Sequence, residues 1–384
     1  MALALFVAGV TGNSQLAGFA ALGSLAALYG RLPGHRYRVS VTVLAGLAMT
    51  TTVLIVSVAA AQLPSWSVPL VIAALASAAR WSCDALRQGP PGAMMPIFAA
   101  GAASVPAAGV GEVLTRTAAT AIGAMIAVIV AVVVAGWHRS RGLAKTTSWS
   151  DLWAGTRRPD LIAPAVLVGL GAAVAGMAAD SFGWEHPAWA ALGAIAALQG
   201  AELRHVGVRA LQRGLGTVLG ALVAYPLLHA GLGFWALAGC VLALQVITEL
   251  VVARHYGLAM LTITPMALLM SSMAAPTSAA TLAWDRSADT VLGAVVGVLV
   301  AVLLAPAAAL DRVHQDDQTA SAPEVEADVA ADERPVEPVL ADAAGSPTPR
   351  AAGLVGPDTV ATLGAAQRRG DAPDASAVRP LTGS

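Results

Sequence analysis

The stretch AIGAMIAVIVAVVVAGW, Ala121 to Trp137, contains no charged residue and decides how the rest of the chain is read. About 20 residues of helix cross the hydrocarbon of a bilayer, so this run is nearly long enough to span by itself. The whole chain agrees with it: 384 residues, 57% hydrophobic and 12% charged, with a mean hydropathy of +0.70. A soluble domain carries about a quarter charged residues. Lipid is therefore the expected solvent, and the lipid bilayer the expected partner.

Apolar runs between polar connections predict helices over 1–11, 15–30, 39–61, 67–79, 91–108 and 114–136, then 160–179, 187–201, 208–229, 231–252, 256–274 and 286–307. Several are shorter than a full span and rich in Gly and Pro, which a membrane tolerates only where neighbours shelter the helix or it is broken or tilted. An internal repeat gives the same number. AGFAALGSLAALYG (17–30) matches PAWAALGAIAALQG (187–200), and RTAATAIGAMIAVIVAVVVA (116–135) matches RSADTVLGAVVGVLVAVLLA (286–305), both at an offset of 170 residues. The informative pairs are Phe19/Trp189, Gly23/Gly193, Arg116/Arg286, Thr120/Thr290 and Gly123/Gly293. The expected fold is an all-α integral membrane protein of two tandem six-helix repeats, 1–137 and 160–308, joined by a cytoplasmic linker, 138–159. An even number of crossings per repeat relates the halves by an axis near the membrane normal. The first helix is short for its counterpart, which reads as a late start. A removed signal peptide is the weaker reading, because a basic leader region is missing.

Lys and Arg gather in alternate connections: Arg31, Arg36 and Arg38, then Arg80 and Arg87, then Arg139, Arg141, Lys145, Arg157 and Arg158, then Arg204, Arg209 and Arg213, and finally Arg254. The positive-inside rule puts these, and both termini, on the cytoplasmic side of the plasma membrane. Beyond Pro306 the composition turns to Ala, Pro, Asp, Glu and Thr, as in QDDQTASAPEVEADVAADERPVEP. Such a segment buries too little apolar surface to offset its ordering entropy, so 309–384 is expected to be a disordered cytoplasmic tail.

Composition also excludes function classes. A formal net charge of −1 offers no basic field for nucleic acid. Cys83 and Cys240 show no metal-ligand spacing, which gives no zinc site, no disulfide framework and no redox cofactor. Catalytic clusters of the Ser/His/Asp, Cys/His or HExxH kind do not occur at workable spacing, so the chain does not read as an enzyme.

In the second half, EHPAWAALGAIAALQG, VRALQRGLGTVLGALVA and ELVVARHYGLAMLTITPMALLM follow in order. This order, with Arg213-Gly214-Leu215-Gly216-Thr217 and Gly220, and with Tyr256-Gly257-Leu258-Ala259 leading to Thr264-Pro265, resembles the fusaric acid resistance protein-like family. That family of integral membrane transporters includes bacterial aromatic acid exporters. The first half keeps the pattern weakly, with Pro96 near where Pro265 would fall. The resemblance implies proton-coupled export of small organic anions, often aromatic carboxylates, as substrate partners. An anion channel of similar architecture, or a non-transporting scaffold recruiting partners through the tail, are the other readings.

Particular residues then stand out. Gly216/Gly220 and Gly293/Gly297 have the spacing that lets a neighbouring backbone approach closely. Such small-residue faces serve packing within the chain or between copies, so homo-oligomerisation is left open. Arg213 and Thr217 lie near the expected cytoplasmic start of the ninth helix, where topology alone accounts for an arginine and a threonine can bond its own helix. Arg116 and Arg286 occupy equivalent outer positions against the positive-inside trend. A guanidinium fork there suits a carboxylate, unless Glu112 and Asp289 neutralise each one locally. Glu249 and His255 are proton-coupling candidates at the cytoplasmic end of the tenth helix. Thr264-Pro265 is expected to break the eleventh helix and expose carbonyls at mid-membrane.

Overall fold

The computed structural model describes residues 1–29, 38–86, 88, 91–140, 158–199, 203–252, 254–274 and 278–320, with backbone alone at 138–140, 203–205, 274 and 305–320. Every regular element among the described residues is helical. Twelve α-helices appear there: α1 Ala2–Val10, α2 Ala17–Ser24, α3 Arg38–Gln62, α4 Val68–Ala85, α5 Met94–Ala103, α6 Val110–Ser140, α7 Ile162–Ser181, α8 Pro187–Leu198, α9 Leu203–His229, α10 Phe234–Val251, α11 Tyr256–Ala274 and α12 Ala279–Ala320. Short 3-10 turns lead into α2, α4 and α7, and one at Leu25–Leu28 closes α2. Proline marks starts where its missing N–H costs nothing, at Pro69 near the head of α4 and Pro187 at the head of α8. Gly183 (φ 73°) and Gly231 (φ 59°) turn the chain just beyond α7 and α9, in a backbone region that side chains with a Cβ rarely adopt.

Eight of these helices are long and apolar enough to cross a membrane. They carry large apolar side chains outward, as on α6, where Leu114, Met125, Ile129 and Val133 are all exposed. A water-soluble monomer does not show such a surface; against lipid it costs nothing. The other four, α1, α2, α5 and α8, are too short to span. All eight residues of α2 are buried, and so is every residue of α8 after Pro187. The short helices α2 and α8 thus form the centre, sheltered by the long ones.

Two helix crossings organise that centre. A Cβ on Gly23 of α2 would collide with the Thr120 carbonyl of α6, and one on Gly123 with the Ala20 carbonyl. In the second half, a Cβ on Gly193 of α8 would come within 2.8 Å of the Thr290 carbonyl oxygen of α12, and one on Gly293 would collide with Ala190. The same repeat-related residues therefore make the same contacts in both places. Gly297 extends the second crossing, where a Cβ would lie 2.9 Å from the Ala194 carbonyl. Gly216 and Gly220 do the equivalent for α9 against α11, facing the carbonyls of Gly257 and Met260.

Several expectations change. Of the helices among the described residues, eight are of span length and four, α1, α2, α5 and α8, are short; α2 and α8 exchange lipid for protein neighbours. Where the sequence predicts a helix over 67–79, α4 continues to Ala85 with Arg80 paired to Asp84 at 2.6 Å. The run 91–108 shortens to Met94–Ala103. The last helix begins at Ala279 rather than 286 and its backbone is helical to Ala320, beyond the expected start of the tail at 309. The remainder of that tail, 321–384, most of the linker, and Arg31, Arg36, Arg87, Arg141, Lys145 and Arg157 of the basic connections lie outside the described residues. Helix α11 runs through Pro265 without interruption. Helix α9, which packs against it, likewise holds Pro226 inside the helix.

The crossings make a prediction. Replacing Gly293 by Leu should destabilise the detergent-purified protein by about 1–3 kcal/mol, because rigid backbone must move apart. Gly136→Leu, on α6 with open space around it, should leave the melting temperature unchanged.

Candidate functional site

Helix α12 presents Asp285, Arg286, Asp289 and Thr290 within two turns, and the α8 crossing fixes their depth. Arg286 lies seven residues after Ala279, about 10 Å along the helix axis. It is 1% exposed, and its guanidinium carbon sits 5.0 Å from the Trp189 ring centroid. Its Nε and Nη1 are buried without a hydrogen-bond partner. Asp289, one turn further on, is fully buried, with both carboxylate oxygens unpartnered.

From α9, Arg213 reaches the same region, close enough to interact electrostatically with Arg286, as does Tyr256 at the head of α11. Arg213 is 3% exposed; its Nη1 donates to the Tyr256 hydroxyl at 3.3 Å and lies 3.9 Å from the Met260 sulfur, while Nε has no partner. Arg209, one turn earlier, stacks over the Tyr256 ring at 4.8 Å. Sequence reasoning put Arg213 and Arg286 on opposite sides of the membrane, each at the start of its helix. The structure brings them within range of each other, because both sit well inside their helices rather than at the ends.

Three threonines complete the surroundings. Thr217, Thr264 and Thr290 are fully buried, and none of their hydroxyls has a partner. This differs from Thr42, Thr117, Thr120 and Thr248, whose hydroxyls bond the carbonyl four residues back. Buried polar atoms without partners are rare in folded proteins and cost roughly 1–3 kcal/mol each. Here they gather on α9, α11 and α12.

The equivalent arginine of the first half is in a different state. Arg116 lies 5.5 Å from the Phe19 ring, as Arg286 lies over Trp189, but it donates to Glu112 at 2.5 Å and to the Val105 carbonyl at 2.6 Å. Glu112 in turn accepts the Ala108 N–H at 2.7 Å. Local neutralisation, one of the two readings of the sequence, is what Arg116 shows. At the position of Glu112 the second half has Leu282, and at those of Asp285 and Asp289 the first half has Thr115 and Ala119.

At the head of α8, the His186 ring stacks on Trp189 at 4.1 Å and its Nδ1 meets Asp285 at 3.2 Å. Burial holds His186 below the usual imidazole range, opposed by its hydrogen bond and charge contacts with Asp285. Glu185 joins these two with ligand-type atoms within 4.8 Å of one another. No metal ligation is assigned to the group, since His186 Nδ1 is already engaged by Asp285 and the Arg286 cation adjoins it. Phe19, Phe98, Val105, His186, Trp189 and Leu282 line a cavity of about 60 Å³. That is room for a few waters. A larger cavity, about 250 Å³, lies among α3, α4 and α5, but Tyr29 spends its hydroxyl on the Gly92 carbonyl and Cys83 its thiol on Gln88.

The remaining candidates fall elsewhere. Glu249, half-buried on α10, accepts from Gln245 at 2.6 Å, and His255 is exposed. Asp289 drew attention in the sequence only as a neutraliser of Arg286; the missing signal was the Arg213 side chain, forty-odd positions from α11 and seventy-odd from α12 in sequence.

Residues 173–300 match the family described as fusaric acid resistance protein-like. This segment runs from α7 to α12 and contains every residue of the cluster. The chain is also similar to the uncharacterized membrane protein YvaC of Bacillus subtilis (strain 168), 35% identical over 97 residues. That similarity covers 25% of this chain and 15% of the relative, so the chain matches only a small part of that protein. No solved structure matches the chain.

Glu112→Gln should lower stability by about 1–2 kcal/mol, because it strips the charged partner from a buried guanidinium. Arg158→Gln, which breaks an exposed pair with Asp160, should have no measurable effect on the melting temperature.

Proposed function

We propose that this membrane protein, whose residues 173–300 are fusaric acid resistance protein-like, is a transporter that exports small organic carboxylates, aromatic ones among them. The observation that carries the reading is the pair of buried guanidiniums, Arg213 and Arg286, with donor nitrogens left unpartnered. Charge inside a membrane is costly and normally serves a solute path. A carboxylate offers what these donors lack, and the planar guanidinium fork matches its geometry. Trp189, His186 and Phe19 beside the site offer ring faces to an aromatic acid.

In this reading the two halves are tandem copies of a six-helix unit, related by an axis near the membrane normal, and the path runs between them in the plasma membrane with both termini cytoplasmic. The repeated glycine crossings and the alternation of arginine-bearing connections support it. The small cavity beside Trp189 favours a gated transporter over an open anion channel, since an aromatic acid enters only when the helices part. Proton coupling is part of the proposal; Glu249 and His255, on or beside α10, are its sequence-based candidates. The scaffold reading depends on the tail, most of which lies outside the described residues.

The test is intracellular accumulation of a panel of aromatic and aliphatic carboxylic acids in cells expressing wild type, Arg286→Gln, Arg213→Gln or Arg116→Gln at matched membrane levels. Wild type should lower accumulation of at least one acid. Either of the first two variants should weaken transport about tenfold or more, the loss of a charge-assisted hydrogen bond. Arg116→Gln should retain most of it. Equal accumulation of every acid with and without the protein would overturn the reading.

A further inference from the structure

Asp289 is the buried ionisable group that the anion reading does not use. It is fully buried on the same helix as Arg286, and neither oxygen has a partner. Arg286 and Asp285 both interact with it electrostatically. We propose that Asp289 is the internal counter-ion of the Arg213–Arg286 site, so that a carboxylate bound there is taken up together with a proton on Asp289. This inference rests on the anion-site reading above.

Charge balance sets the role of Asp289. With Asp289 ionised, the site holds two guanidiniums and one carboxylate. A bound carboxylate adds a second negative group that draws on the same donors in a medium of low dielectric. Two carboxylates so close cannot both stay ionised cheaply, and one takes a proton. A bound organic acid is held through its ionised oxygens by the guanidiniums, which leaves Asp289 as the proton acceptor.

The surrounding elements offer no better acceptor. Helix α8 carries no titratable residue, and α7 carries only Asp180, at its far end. Helices α9 and α11 contribute the guanidiniums of Arg209 and Arg213, which engage the ring and hydroxyl of Tyr256, while the His229 of α9 lies at that helix's far end. Asp285 is engaged by His186 at 3.2 Å, with Glu185 next to it. These three groups lie together at the head of α8, and Asp289 stands one helical turn past Asp285 on α12.

The first half supports the assignment by contrast. Its equivalent arginine is held by Glu112, and the position of Asp289 is Ala119. An arginine that needs only neutralising has its carboxylate in hydrogen-bond contact. Asp289 lies on the same face as Arg286 without such contact, the arrangement of a partner that gives way to a ligand.

The sign of the linkage follows. A bound anion raises the proton affinity of Asp289, so binding takes up protons and tightens as pH falls. The test is calorimetric titration of benzoate into full-length protein in lipid nanodiscs, from about pH 6 to about pH 8, in buffers of differing ionisation enthalpy; benzoate stays ionised throughout. Wild type should take up protons with benzoate, at most one per benzoate, and affinity should fall with rising pH, by at most about tenfold per unit. Asp289→Asn should bind with no proton uptake and a flat pH profile, and Asp289→Glu should restore both. If wild type binds benzoate in an Arg286-dependent manner without proton uptake, or if Asp289→Asn keeps the uptake, the counter-ion role is wrong and the anion site stands. Absence of benzoate binding to wild type overturns the site and this inference together. Should Asp289→Asn fail to fold, the proton count on wild type decides alone.

Discussion

Helices surrounded by lipid gain little from burying leucine against leucine, so what holds them together is close contact between backbones. In this protein that contact is concentrated where Gly23 and Gly123 join α2 to α6, and where Gly193 and Gly293 join α8 to α12. Each pair of glycines removes the two Cβ atoms that would keep the helices apart. The depth of α12 relative to α8 is then fixed, and with it the seat of Arg286 over Trp189. Short helices buried on every side follow from the same constraint, since α2 and α8 exchange lipid contacts for backbone contacts and need not span.

Upon this shared scaffold the two halves diverge chemically. The first closes its arginine into a network with Glu112 and the Val105 carbonyl. The second replaces the glutamate with Leu282, adds Asp285 and Asp289 on the face of α12, and brings Arg213 across from α9. One arginine thereby serves structure, whereas the other keeps two donor nitrogens, Nε and Nη1, without an acceptor. The costs of leaving it so are of the size that a bound carboxylate recovers.

Much of this was legible in the chain. Ala121–Trp137 announced the membrane, and the Arg116/Arg286 and Gly123/Gly293 pairs announced equivalent contacts that the structure reproduces. Helix length was less legible, because hydropathy reports whether a segment tolerates an apolar surrounding, not whether that surrounding is lipid or protein; hence α5 is shorter than its apolar run. The beginning of α12 was misjudged because Asp285 and Arg286 look like a boundary, yet both are tucked against α8 and its leading turn. Pro265 looked like a break but is accommodated inside α11. The convergence of Arg213 with Arg286 and Asp289 could not be read at all, since it depends on how α9 crosses α12, and no periodicity encodes that.

The central claim is that the Arg213–Arg286 region of the second half, and not the equivalent first-half arginine, carries a carboxylate across the membrane. Efflux of radiolabelled benzoate from proteoliposomes tests it most directly, with wild type compared against Arg286→Gln and Arg116→Gln. The account predicts efflux from wild type and from Arg116→Gln vesicles and its loss with Arg286→Gln. Efflux that survives Arg286→Gln but disappears with Arg116→Gln would contradict it.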